Sequence, residues 1–509
     1  MRFSRRVDID EPNPIAKAEA ALKAEGIRPV ALNDSNPTRH GLAPSSLPTV
    51  YAAEPRGQRY AREAIADYIN ATVEPYVPDA DDDSAAHASR KQTHADDLIY
   101  KGTGATILQS AAGNDDAVDD ETAADSVYAD VATDSAVRVS AAGNGDGVDD
   151  GDAADNDDGD GAACNDGATR NDGAARNDGA TGKQEEGGAS RKDGQARADE
   201  VYLLSSTSQA YSWLMKLLCD AGDAVLAPKP GYPLIESIAR LECVEARFYQ
   251  LRFDGSWFID VPQIERMLAE DADRRIRAVI VINPNNPTGS YIKPAEREAL
   301  VALCRRYGIA IIADEVFFDY PLEPFDGNRR LSGEPRMLTF ALDGFSKTLA
   351  APHAKVGWIR VSGPDDDVRE ACRRLDVIAD DFLPMSEFVA REIPAMLHEA
   401  PRQLDAVGSR IRANLATLHR MLDGDDLGVV DVLRAEGGWN VLLRFPGVID
   451  ENDLVLAMID ASRTSGQPGY FFDMTSNGYL AISLLPEEEL FARNVATVLD
   501  AVRQRLGIA

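Results

Sequence analysis

Between Val201 and Val361 short apolar runs alternate with stretches of helical spacing, and this rhythm limits the possible folds more than any other feature. Strand-length runs fall at 201–204, 224–227, 246–250, 279–282, 309–313, 338–342 and 356–361. Helical patterns fill the intervals at 208–219, 233–241, 262–269 and 294–307. Runs that are apolar at consecutive positions belong to strands buried on both faces. Joined through helices, such strands make an α/β fold, a mostly parallel sheet sandwiched by helices. After Gly363 the grammar shifts to helices at 365–378, 386–397 and 401–422, then strands near 440–445 and 479–484 and a closing helix to Leu506. The expectation is a large domain over 200–363 and a smaller α+β domain over 364–509. Residues 1–78 contribute to the smaller domain and to a loop at the site, with helices at 14–26 and 58–69.

Composition bounds the partners. The formal charge of -32 on 509 residues argues against nucleic acid and against an anionic membrane surface. That charge is concentrated: residues 79–199 hold 29 acidic and 10 basic side chains, a balance of -19. The same segment repeats Asn-Asp-Gly-Ala at Asn165, Asn171 and Asn177 and has few aromatics. Such a composition buries too little apolar surface to offset an ordering entropy of ~1–2 kcal/mol per residue. It reads as a disordered acidic insertion. A calcium-binding repeat is the rival, although the Asp-x-Asp-x-Asp-Gly order with a closing Glu is not met. The five cysteines are scattered without ligand spacing, which suits a reducing compartment. No secretory leader or membrane-length apolar run is visible, so a cytoplasmic location and no membrane partner are expected.

In an open α/β sheet, ligands gather at the carboxyl ends of the strands. Five stretches of this chain stand there. Ser206-Thr207-Ser208 opens a helix, where backbone amides and hydroxyls can hold an anion; an ordinary N-cap explains it equally well. Tyr232, in Pro228-Lys229-Pro230-Gly231-Tyr232-Pro233, can stack on an aromatic group or merely pack. Asn283-Pro284-Asn285-Asn286-Pro287-Thr288-Gly289 is a stiff loop that aims an amide rather than only turning the chain. Asp314 closes an apolar strand, and a carboxylate buried there needs a cation or a cap. Ser346-Lys347 follows the next apolar run, and Lys355 stands eight residues further on. A lysine at a strand end can condense with an aldehyde, and a second cation can meet a phosphate. Pyridoxal phosphate carries both groups. Two solvated lysines around a turn are the plain alternative for the pair taken alone.

Taken together and in this order, the stretches resemble the fold-type I pyridoxal-phosphate-dependent aminotransferases of class I/II. The likeness is strongest from Leu203 to Trp358. It implies Lys347 as the Schiff-base lysine and proton shuttle, and Asp314 as the partner of the pyridine nitrogen. Asn286 would serve the ring oxygen and Tyr232 the ring face. Thr207, Ser208, Ser346 and Lys355 would hold the phosphate, and Tyr51 resembles the tyrosine that reaches the phosphate of a partner subunit. The resemblance therefore implies a homodimer.

Four positions depart from the family pattern. Lys355 stands where an arginine is usual and so loses the bidentate fork. Gly344 replaces a frequent serine or threonine, and Phe317 a tyrosine. Ala481 lies where an arginine usually clamps the substrate α-carboxylate. Arg39, in a turn-rich loop, is the expected replacement, with Arg444 as a second option. The implied function is transfer of an amino group between an amino acid and a 2-oxo acid. The alternatives are other reactions on the same scaffold (C–S lyase, decarboxylase or synthase) and a non-catalytic binding protein of the same fold.

Overall fold

The computed structural model describes residues 2–5, 24–25, 54–73 and 194–508. Nearly all of the helix expected at 14–26, the loop around Arg39, Tyr51 and nearly all of the insertion at 79–199 lie outside the described residues. Helix α1 (Arg59–Thr72) precedes the sheet region and buries Ala61, Ile65 and Ile69 on one face.

Eight strands form one sheet: β1 (Val201–Leu204), β2 (Ala224–Lys229), β3 (Glu245–Phe253), β4 (Trp257–Ile259), β5 (Ile276–Ile282), β6 (Ala310–Asp314), β7 (Thr339–Gly344) and β8 (Gly357–Ser362). Their spatial order is β1-β8-β7-β6-β5-β2-β3-β4. The pairs β7/β6, β6/β5, β5/β2 and β2/β3 are parallel. Strand β8 runs antiparallel to both β7 and β1. As a result the carboxyl ends of β1, β2, β5, β6 and β7 and the amino end of β8 share one edge. Every residue of β5, β6, β7 and β8 is buried, as unbroken apolar runs require when helices cover both faces.

Helices α2 (Thr207–Leu218), α3 (Leu234–Leu241), α4 (Val261–Glu270) and α5 (Pro294–Tyr307) make the crossovers. Their ends carry local stop and start signals. Ser206 caps α2 by accepting from the Gln209 amide, and Gly308 ends α5 in the left-handed region at φ 67°, where only glycine carries no side-chain penalty. One face of the sheet packs on α2 and on α7 (Asp365–Phe382), through Trp213, Leu214, Val368 and Leu375. The other face packs on α4 and α5, through Ile264, Leu300 and Val301. A one-turn helix, α6 (Phe345–Thr348), follows β7 directly, so Lys347 sits in a helical turn at the strand end.

The C-terminal region adds a smaller antiparallel sheet of β9 (Asp431–Val432), β10 (Asn440–Arg444), β11 (Gln467–Pro468) and β12 (Tyr479–Ser483), ordered β11-β12-β10-β9. Helices α8 (Glu387–Asp423), α9 (Glu451–Ser462) and α10 (Glu488–Arg505) cover it. The two helices expected at 386–397 and 401–422 are one helix of 37 residues that contains Pro394 and Pro401. An interior proline costs about 3 kcal/mol. Ala390, Ile393, Leu397, Ala400, Ile411 and Leu418 form a buried face continuous across both prolines. Each large apolar side chain buried there contributes roughly 1.5–3 kcal/mol, and this face outweighs the break.

Candidate active site

The shared sheet edge gathers the residues that the sequence singled out. At the end of β6, Asp314 is 5% exposed. The Tyr211 hydroxyl donates to its Oδ2 at 2.9 Å, and the Val316 amide to Oδ1 at 3.4 Å. No cation pairs with it within salt-bridge distance among the described residues. Burial therefore dominates, and the carboxyl is pushed up to about 6, against the pull of those hydrogen bonds and of the more distant Lys347 ammonium. Burial pushes Lys347 the other way, below an ordinary lysine, with the charge of Asp314 opposing it. Desolvation thus drives both groups toward their neutral forms.

Lys347 is held through its backbone as well as by its surroundings. The Tyr320 hydroxyl lies 2.9 Å from the Lys347 carbonyl oxygen and 3.0 Å from that of Thr348. Thr348 donates to buried Asp343 at 2.7 Å, and Asp343 pairs with Arg330 at 3.1 Å. The Lys347 Nζ lies 5.1 Å from the Trp439 ring centre and 5.4 Å from that of Phe317. Those two rings meet edge to face at 5.0 Å. Phe317, where the resemblance leads one to expect a tyrosine, is thus a wall beside the lysine. It carries no hydroxyl to donate.

The loop after β5 is fixed at several points. Asn283 accepts from the Ile292 amide at 3.0 Å and donates to buried Glu315 at 3.3 Å. Asn285 accepts from the Thr288 hydroxyl at 2.9 Å. The Gly289 carbonyl accepts from the amides of Glu436 and Gly437, each at 2.9 Å. This bracing leaves Asn286 half-buried at the loop tip. Its Oδ1 accepts from Asn440 Nδ2 at 3.1 Å, and its own Nδ2 has no hydrogen-bond partner among the described residues. Tyr232 stands at the end of the β2 loop. Burial and the nearby Asp314 charge push its phenol up to about 12.

The phosphate candidates come together through backbone contact. Gly344 of β7 and Gly357 of β8 are register partners. A Cβ at Gly344 would lie 2.8 Å from the Val356 carbonyl oxygen, and one at Gly357 3.2 Å from the Thr207 amide nitrogen. The first is too close for a side chain, which explains why glycine stands at Gly344, and the second is a tight approach. The start of α2 is thereby brought against the start of β8. The hydroxyls of Thr207, Ser208 and Ser346 and the exposed Lys355 ammonium have no partner among the described residues. Lys355 holds a left-handed backbone at φ 52°.

The position where the resemblance leads one to expect a carboxylate clamp is apolar. Ala481 is 8% exposed and faces Leu442 across the smaller sheet, within the core shared with the large sheet. Arg444 is exposed and pairs with Asp431 at 2.9 Å on the neighbouring strand; it is a surface charge and no clamp. Arg39 and Tyr51 lie outside the described residues. Sequence reasoning gave no role to Tyr211, Tyr320, Trp439 or Asn440. The available signal was local: Tyr211 follows Thr207 by one helical turn, and Trp439-Asn440 follows Gly437-Gly438 at the entry of a strand.

Among the described residues, a buried carboxylate without an ion-pair partner, an amide with a free donor, and free hydroxyls at and beside a helix N-terminus fit a cationic ring bearing an oxyanion and a phosphate. The comparisons agree. Residues 190–491 match the family described as aminotransferase class I and II. An alanine aminotransferase of Mycobacterium tuberculosis is 25% identical over 315 residues, 61% of this chain and 70% of that protein. The glutamate-pyruvate aminotransferase AlaA of Haemophilus influenzae is 29% identical over 181 residues, 36% of this chain. That match spans only 44% of the relative's length. A tyrosine aminotransferase from Leishmania infantum shares the fold, with a TM-score of 0.55, 20% identity, and 60% of this chain and 75% of that one covered. The family match covers more than half of the sequence, and the chain belongs to the aminotransferase class I and II family.

Proposed function

We propose that the protein is a pyridoxal-phosphate-dependent aminotransferase that moves an amino group between an amino acid and a 2-oxo acid. The observation that carries the reading is the placement of Asp314 and Lys347 on one sheet edge, both displaced toward neutrality by burial. When bound, pyridoxal phosphate supplies an aldehyde that condenses with amines and a ring that draws electrons from the substrate Cα. Lys347 would hold the group through its amine. Once the incoming substrate amine has displaced it, its Nζ, made less basic by burial, would take the proton from the substrate Cα and return it. Asp314 would face the ring nitrogen, whose positive charge supplies the partner that this carboxylate lacks. Asn286 would donate to the ring oxygen, and Tyr232 would cover the ring. Thr207, Ser208, Ser346 and Lys355 would take the phosphate, with the helix N-terminus adding its amides.

The substrate carboxylate falls to Arg39 in this reading, because Ala481 is apolar and Arg444 is already paired. The same apolar Ala481 favours one rival, another reaction on the same scaffold such as a lyase or decarboxylase. A cytoplasmic homodimer is part of the proposal, with Tyr51 reaching the partner subunit's phosphate site. The four free cysteines among the described residues support only the reducing compartment in that proposal. No helix among the described residues is long and apolar enough to cross a membrane.

The test is cofactor retention followed by a half-reaction. Protein purified with pyridoxal phosphate should keep a visible absorbance band through gel filtration, and Lys347→Ala should lose it while staying folded. A single amino acid should bleach the band without releasing ammonia, and a 2-oxo acid should restore it. A folded parent protein that retains no chromophore refutes the proposal, and ammonia release favours the lyase.

A further inference from the structure

We infer that Asn440 is a positioning residue that fixes which end of the Asn286 amide faces the cofactor; this rests on the function proposed above. An asparagine side chain carries an acceptor at one end and donors at the other. It serves a ring oxygen only when its NH2 group is turned toward that oxygen. In this chain the Asn440 Nδ2 donates to the Asn286 Oδ1 at 3.1 Å. Occupying the acceptor turns the Asn286 Nδ2 away from Asn440, and that nitrogen has no other partner among the described residues.

The next position on the same face of β10 offers no substitute. The residue two further along β10 is Leu442, and it faces Ala481. Neither Leu442 nor Ala481 carries a polar side-chain atom to reach the amide. Asn440 itself is well held. Its segment is tied to the same loop through the Glu436 and Gly437 amides on the Gly289 carbonyl, each at 2.9 Å. The Glu436 side chain adds a second tie by accepting from the Tyr291 amide at 3.0 Å. The neighbour of Asn440, Trp439, lies over the Lys347 ammonium at 5.1 Å. One short segment of the smaller sheet therefore braces both the amide that meets the ring oxygen and the lysine that meets the aldehyde.

The experiment uses the cofactor-loaded, full-length protein and reads the pH midpoint of its visible absorbance together with cofactor affinity. A donor on the ring oxygen favours the form that has lost its proton, so weakening that donor moves the midpoint to higher pH. Asn440→Leu keeps the shape and adds no charge. It should raise the midpoint by about one pH unit, the size of a hydrogen bond to an ionised oxygen, and loosen cofactor binding about tenfold. Asn440→Gln retains the donor and should stay close to the parent protein. In an Asn286→Ala background, Asn440→Leu should add no further shift, because its effect passes through that amide. An unchanged midpoint in Asn440→Leu overturns the inference, and so does a shift that persists at full size without the Asn286 side chain. A parent protein that takes up no pyridoxal phosphate overturns the functional proposal itself, and the inference with it.

Discussion

Replacing Asp314 by Asn tests the electrostatics of the site without any substrate. In the cofactor-free protein this carboxyl is buried, has no cation within ion-pair distance among the described residues, and is pushed from the ordinary 3.8 to about 6. That is roughly two pH units, each worth about 1.4 kcal/mol, so keeping the charge costs the folded state about 3 kcal/mol. The sign follows from linkage. The folded pKa is raised, so stability is greatest below pH 3.8, where both states carry the proton. It is lost as pH rises through about 6, because the folded state there binds more protons than the unfolded one. Asn is a neutral mimic of the protonated group; its Oδ1 can still accept from Val316 and its Nδ2 can donate to the Tyr211 oxygen. Urea unfolding of cofactor-free protein at pH 5 and pH 8 is the assay. Asp314→Asn should be more stable than the parent by up to about 3 kcal/mol at pH 8, with a clearly smaller gap at pH 5. Adding pyridoxal phosphate should reverse the order, since only the carboxylate can pair with a cationic ring. A variant less stable than the parent at pH 8, or a gap equal at both pH values, would show that the buried charge carries no such penalty.

Two further outcomes follow from the geometry around Lys347 and from the apolar clamp position. Tyr320→Phe removes the hydroxyl that meets the Lys347 and Thr348 carbonyls; it should cost about 1 kcal/mol in urea unfolding and lower kcat several-fold with little change in KM. Arg39→Ala should raise the amino-acid KM strongly while leaving cofactor absorbance intact, and an unchanged KM removes Arg39 from the substrate site.

The sheet strands were legible because burial on both faces leaves a signature in one dimension. Strand β1 falls at Val201–Leu204 as read, and the other expected runs from 224 to 361 overlap β2, β3, β5, β6, β7 and β8. Strand β4 and the two-residue strands β9 and β11 were missed, since runs of two or three residues show no period. The long helix α8 was misread for a different reason. Local rules stop a helix at Pro401, and only the face buried against other elements reveals that it continues.

At the site the division is similar. Chemistry-bearing residues followed by turn residues at strand ends marked Asp314, Lys347, Asn286, Tyr232 and the Ser206–Ser208 stretch, because parallel strands deliver their carboxyl ends to one edge whatever the rest of the chain does. By itself the sequence determined the order of these residues along the strands, the two lysines and the alanine at 481, where the family resemblance leads one to expect an arginine. Tertiary structure alone decided what surrounds them. Tyr211 reaches Asp314 across 103 residues and Asn440 reaches Asn286 across 154, separations at which no local pattern specifies a partner. Whether Asp314 is costly or comfortable, and whether Lys347 is a strong base or a weakened one, depends on how much water the packed chain removes from each. Desolvation is a property of the assembled core, and no stretch of sequence contains it.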